Sequence, residues 1–270
     1  QHIIKDVLKL NINYMLHENY GFYSYTEHYY LGDIFVFTSA DEEKGVLLEL
    51  KGKGCRQFES YLVAQERSWY DFLMDTLLEG GVMKRLDLAI NDRAGILDIP
   101  ELTEKCNREE CISVFRSFKS YASGELIRKQ EQDKAGMGHT LYIGSLKSEV
   151  YFCCYEKNYE QYAKLGIPVS EALIKNRFEI RLKNGKAEQT IEQLVFSRNP
   201  EQTIANLILT QIDFPDYILW DIFLDNVMTS LPFVMTPVAV NMDKTKRWLE
   251  RQVMPSLLMI KEIEKKTGAK

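Results

Sequence analysis

Between residues 22 and 51 aromatic and β-branched side chains recur in short runs broken by turn formers. The runs are Phe22 to Tyr25, Glu27 to Ser39 interrupted at Gly32-Asp33, and Val46 to Lys51. Such runs bounded by Gly and Asp predict an antiparallel meander. From Arg56 to Leu78 the period lengthens: Phe58, Leu62, Trp69, Phe72, Leu73 and Leu77 fall at helical spacing, with Gly80-Gly81 as the stop. A strand is predicted over 84–92, a short helix from Pro100, and a charged surface loop around 128–138. Strands at 139–145 and 149–157 are separated by hairpin spacing, and a helical connection through Tyr162 and Ala172 leads to a strand over 176–183. Beyond Gly185 the pattern is helical for most of the remainder, with Pro255 suited to the first turn of a last helix. Antiparallel groups without regular β-α alternation give class α+β: a central antiparallel sheet, helices packed on one face, and a helical C-terminal region.

The 270 residues, 45% of them hydrophobic, suffice for a real core and exclude both a disordered chain and a disulfide-stapled miniprotein. No apolar run reaches the roughly 18 residues of a membrane span, and no signal pattern opens the chain, so a soluble, cytoplasmic protein without a membrane partner is expected. Cys55, Cys106, Cys111, Cys153 and Cys154 fit no metal or redox spacing, which agrees with a reducing compartment. The first residue is Gln1, which points to further chain upstream. The net charge of −5 argues against a polyanion partner until its distribution is seen. Residues 244–270 carry eight basic and three acidic side chains, leaving −10 on residues 1–243. In that tail Leu249, Val253, Leu257 and Ile260 would pack inward. Lys244, Arg247, Arg251 and Lys261 would then lie on exposed flanks, as a surface for a polyanion or simply a solvated one.

Candidate chemistry lies on the polar faces of three strands. In 85–91, Leu86, Leu88 and Ile90 point one way and Arg85, Asp87, Ala89 and Asn91 the other. In 177–183, Phe178, Ile180 and Leu182 oppose Arg177, Glu179, Arg181 and Lys183; in 149–157, Tyr151, Cys153 and Tyr155 share a face. If the strands are neighbours, Asp87, Glu179 and Tyr155 converge. Two carboxylates without a partnered histidine suit a hard divalent cation, Mg2+ or Mn2+. The alternative is a solvated face laced with Arg85–Asp87 and Arg177–Glu179 pairs. Gly52-Lys53-Gly54-Cys55 lacks the full phosphate-loop pattern and reads as a turn into the helix. His139, beside the hairpin, is an extra ligand, a substrate contact or a plain surface histidine.

The string GHTLYIGSLKSEVYFCCYEKNYEQ, with KRLDLAIND before it and NRFEIRLK after it, resembles the Rep_trans family of rolling-circle plasmid replication initiators and MobT-type relaxases of integrative conjugative elements. LLELKGKGCRQFE and KTKRWLERQVMPSLLMI are similar to the relaxase branch. The resemblance implies that Tyr155, followed by Glu156-Lys157, attacks a DNA phosphate, and that Asp87 and Glu179 occupy metal-site positions. Asn91 stands where the family often has an acidic residue, and Cys153 where an arginine is usual; Asp92 could compensate for the first.

The implied activity is nicking of one strand at an origin of transfer, leaving a 5′-phosphotyrosine and a 3′ hydroxyl with divalent-metal assistance. Lys157, Arg85, Arg177 and Arg181 would position phosphates, with Arg247, Arg251 and Lys244 in the tail. The expected catalytic domain is 1–212, with 213–270 a helical extension packed on it. Single-stranded origin DNA is the implied partner, joined by an upstream helix-turn-helix domain and accessory transfer proteins. A plasmid replication initiator, a non-catalytic DNA-binding module and a protein-interaction domain stay open as alternatives.

Overall fold

A computed structural model describes residues 1–124 and 136–229, so the basic tail and most of the charged loop lie outside the described residues. The described residues form two units, 1–79 and 80–229. Among them no helix is long and apolar enough to cross a membrane.

The first unit is the meander. Strands β1 (Leu16–Glu18), β2 (Glu27–Leu31), β3 (Ile34–Thr38) and β4 (Leu47–Leu50) pair antiparallel in sequence order. The single helical run expected over 56–78 is two helices, α1 (Gly52–Ala64) and α2 (Trp69–Leu78). Ser68 makes the break: its hydroxyl accepts from Asp71 N while the Asp71 carboxylate accepts from Ser68 N, a reciprocal cap that opens a new helix. The Gly52-Lys53-Gly54-Cys55 segment is the first turn of α1. A Cβ on Gly54 would lie 2.2 Å from the Asp33 carbonyl oxygen, so glycine there allows α1 to press against the β2–β3 turn. Ile34 and Val36 pack with Phe58, Leu62, Phe72, Ile4 and Leu8 in this unit's core.

The second unit holds β5 (Arg85–Asp92), α3 (Ile99–Asn107), β6 (Ile112–Ser113), β7 (Phe118–Gly124), β8 (Gly136–Ile143), β9 (Val150–Glu156), α4 (Lys157–Leu165), β10 (Asn176–Lys183), α5 (Asn184–Ser197), α6 (Pro200–Leu209), β11 (Ile212–Asp213) and α7 (Ile218–Thr229). The five-stranded antiparallel sheet runs β5-β10-β9-β8-β7, and β6 pairs with β11 apart from it. Strict alternation sorts its two faces. Phe178, Ile180, Leu182, Phe152, Cys154, Leu141 and Ile143 are buried with Leu102, Ile204, Ile208, Trp220 and Phe223, so α3, α6 and α7 cover one side. Helices on one face of an antiparallel sheet is the expected class, and residues 213–229 continue this same core. The helical connection expected through Ala172 ends earlier: α4 stops at Gly166 in the left-handed conformation, and Ala172 is buried beyond it. Strand β7, whose alternation is blurred by Lys119 and Ser120, has no counterpart in the sequence reading.

Candidate active site

The face of the sheet away from the helices carries the polar residues in cross-strand rows. Arg177 lies opposite both Asn91 and Tyr155, and Tyr155 opposite Thr140. In the next row Glu179 is flanked by Ala89 and Cys153, and in the third Arg181 by Asp87 and Tyr151. The neighbouring strands that convergence required are therefore neighbours.

Tyr155 sits at the end of β9, where its hydroxyl donates to Glu179 Oε1 at 3.0 Å. Burial and then the Glu179 charge push the phenol well above its ordinary value near 10. Lys157, the first residue of α4, donates to the phenol oxygen at 3.5 Å, with its ammonium 5.5 Å from the ring centroid. Glu160, one helical turn on, holds Lys157 and also pairs with Lys164. Burial opposes the Glu160 charge, but hydrogen bonds from the two lysines hold its carboxyl at about 2. Glu160 was missed in the sequence; had the helix start been placed at Lys157, the i, i+3 spacing would have shown it. Glu160→Gln should release Lys157 and lower any Tyr155-dependent strand cleavage roughly tenfold, the order of a weakened charge-assisted hydrogen bond. Single-turnover rates with the Lys164→Ala variant as control check this.

The carboxylates are held by guanidinium groups. Arg181 gives two hydrogen bonds to Glu179 Oε2, at 3.1 and 2.7 Å, donates to Tyr151 at 3.2 Å, and lies 3.9 Å from Asp87 Oδ2. Arg85 grips both Asp87 oxygens, at 2.8 and 2.7 Å. Asp87 and Glu179 thus meet through Arg181, which contacts both. Glu179 presents Oε1 to Tyr155 and Oε2 to Arg181. The two carboxylates are the donor type that a hard divalent cation would take. Among the described residues no cluster of three or more acidic, histidine or cysteine side chains is poised for a metal.

The remaining expected residues are placed as follows. Asn91 accepts from Arg177 Nε at 2.9 Å and so orients that arginine beside Tyr155. Asp92 is buried on the other face, accepting from Gly95 N, Leu97 N and Asn176 Nδ2; it staples the loop into α3. Thr140, not His139, is the row partner of Tyr155, so alternation turns His139 away, where its backbone and ring nitrogens meet Glu156. Cys153 is buried in the row with Glu179, and burial lifts its thiol to about 11. A neutral thiol offers phosphate no charge, and the cation beside Tyr155 comes instead from Arg177 on the adjacent strand. Lys244, Arg247 and Arg251 lie outside the described residues.

A helix-backed antiparallel sheet with a tyrosine, carboxylates and arginines on its open face has the fold of a rolling-circle replication initiator. The solved structure of such a protein from Geobacillus stearothermophilus superposes with a TM-score of 0.67 at 24% identity, covering 83% of this chain and 86% of that one. The chain belongs to the replication initiation factor family, Rep_trans, whose model matches residues 81–270. Residues 1–75 match the rolling circle replication initiation protein N-terminal domain. A Bacillus subtilis (strain 168) protein named "Putative DNA relaxase NicK" is 38% identical over 279 residues, 98% of this chain and 78% of the relative.

Proposed function

We propose that this protein is a DNA relaxase that nicks one strand at an origin of transfer through Tyr155. The observation that carries the reading is the Tyr155 hydroxyl, held between Glu179 and Lys157 and bordered by Arg177, in a chain of the replication initiation factor family. The phenol oxygen attacks the scissile phosphorus in line, the 3′ oxygen leaves with a proton, and the strand stays attached as a 5′-phosphotyrosine. One phosphodiester replaces another, so the bond energy is kept for resealing. A buried phenol is a poor nucleophile, and here it has an acceptor for its proton, Glu179 Oε1, and an ammonium, Lys157, to stabilise the oxyanion. Arg177 and Arg181 supply charged donors for the flanking phosphates. A divalent cation, Mg2+ or Mn2+, would be held by Asp87 and Glu179 Oε2, and when bound it supplies polarisation of the scissile phosphate. Cytoplasmic conjugative transfer, with accessory transfer proteins and a helix-turn-helix domain upstream, is the setting this reading implies. Initiation of rolling-circle plasmid replication uses the same chemistry, and the match of residues 1–75 to the rolling circle replication initiation protein N-terminal domain favours it as the second reading. The catalytic part in this reading is the second unit, which carries Asp87, Tyr155, Lys157 and Glu179.

Supercoiled plasmid bearing the transfer origin should become a nicked, protein-linked circle in Mn2+. Intact plasmid at saturating protein, with DNA bound, would return the protein to the class of non-catalytic DNA binders. The tail gives a separate expectation. Neutralising Lys244, Arg247, Arg251 and Lys261 should weaken binding of origin and unrelated strands alike. The slope of log affinity against log salt should fall by up to roughly 3, because four phosphate contacts are lost. A salt series that leaves the slope unchanged assigns the tail to solvent.

A further inference from the structure

The first unit's sheet has an aromatic face turned away from its helices. Tyr29, Leu31, Ile34 and Val36 turn to the helices, and His28, Tyr30, Phe35 and Phe37 turn away from them. The rings of Tyr30, Phe35 and Phe37 lie nearly parallel along this face, with interplanar angles of 16° and 13° between successive pairs. The β1–β2 loop folds over it. Tyr23 and Ser24 both adopt left-handed backbone angles, φ 57° and 63°, closed by Tyr25 N donating to Phe22 O at 2.9 Å. That turn ordinarily takes Asn-Gly, and non-glycine residues held there are strained. Gly21 is required as well, since a Cβ would lie 2.4 Å from the Tyr25 carbonyl oxygen. The His28 ring nitrogen bonds the Tyr20 carbonyl at 2.7 Å, and the Tyr23 hydroxyl donates to Glu49 at 2.8 Å.

The strained loop does not bury its rings. Phe22 and Tyr23 stand edge-on to Phe37, at 6.2 and 5.8 Å, yet are 56% and 57% exposed. With Phe35, Phe37, Glu49 and Lys51 they line a cavity of about 290 Å³. Its walls are flat rings, and its polar groups are the Glu49 carboxylate, the Tyr23 hydroxyl bonded to one of its oxygens, and the exposed Lys51 ammonium 2.9 Å from the other.

We propose that this cavity receives one unstacked nucleobase of single-stranded DNA, with guanine preferred. Aromatic walls stack any base. Guanine alone among the DNA bases sets two N–H donors side by side on its Watson–Crick edge, matching the two oxygens of Glu49. Guanine displaces the Tyr23 hydroxyl and the Lys51 ammonium from the Glu49 oxygens they hold, and the freed Lys51 meets the attached phosphate. An aliphatic peptide segment would use neither charge. The proposal rests on the nicking reading only in taking unpaired DNA as the protein's substrate.

The test is fluorescence anisotropy of the full chain with two labelled heptamers, all thymidine and the same with one central guanine. The guanine heptamer should bind roughly tenfold more tightly, as expected for a bidentate base contact. Phe22→Ala should weaken both on the order of tenfold through the lost stack. Glu49→Gln, which keeps the shape, should remove the guanine preference and leave thymidine binding unchanged. Phe22 is exposed, so its variant should melt with the wild type. Two variants that bind both heptamers like the wild type, in a protein that still nicks origin plasmid, overturn the cavity assignment and leave the function standing. Failure of either heptamer to bind wild-type protein also overturns it; if nicking is absent too, the functional reading falls with it.

Discussion

Replacing Tyr155 by Phe should remove the covalent DNA adduct, lowering nicking roughly a thousandfold or more while origin binding stays near the wild-type value. The ring keeps its place beneath Lys157, and only the oxygen that bonds Glu179 is lost. The alternatives are placed less well for chemistry. Tyr151 is buried, with its oxygen engaged by Arg181, and the Tyr159 ring packs where a Cβ on Gly138 would lie, 3.0 Å away. An adduct of undiminished yield from Tyr155→Phe, read on denaturing gels, would transfer the role to Tyr159.

The second large effect concerns the carboxylates. Glu179→Ala should lower nicking by roughly two to three orders of magnitude, because proton acceptor and metal ligand are lost together. Asp87→Ala should weaken metal binding and nicking in parallel, which metal-titration calorimetry beside nicking rates can check; wild-type metal affinity in both variants would contradict the metal assignment. Relief of carboxylate repulsion is not expected to stabilise either variant, since Arg181 and Arg85 already partner the two groups. Glu179→Gln separates the roles. Burial raises the Tyr155 phenol first and the Glu179 charge second, so the neutral amide should bring its titration down toward 10. The raised phenol also carries a stability signature: its contribution is fully present below pH 10 and is lost as pH rises beyond that. Carbon-13 tyrosine spectra across alkaline pH report the titration, and a value unmoved by Glu179→Gln would leave burial as the whole cause.

Period-two alternation made the site face legible. Phe178, Ile180 and Leu182 could point only to a core, which fixed Arg177, Glu179 and Arg181 on the opposite side, and the order of pairing then brought Tyr155 beside Glu179. What stayed hidden depends on partners distant in sequence. Nothing near Arg181 announces that it lies between Asp87 and Glu179, and Asp92 looked available until its oxygens were found in the loop before α3. His139 and Thr140 differ by one residue, and only the register with β9 decides which shares the face of Tyr155. The break between α1 and α2 left little mark, because helix spacing carries through Ser68 while the cap that separates them is made by two polar side chains. The aromatic loop over β2 and β3 read as strand, since its composition suits strands and its left-handed backbone is against the preference of Tyr and Ser.

The most direct test of the account is to trap the protein on single-stranded origin DNA, digest both polymers, and sequence the nucleotide-bearing peptide by mass spectrometry. The account predicts one modified residue, Tyr155, joined to a 5′ phosphate, with a free 3′ hydroxyl on the released strand. A 3′ linkage, or a modification on Tyr151, Tyr159 or Tyr162, would contradict it.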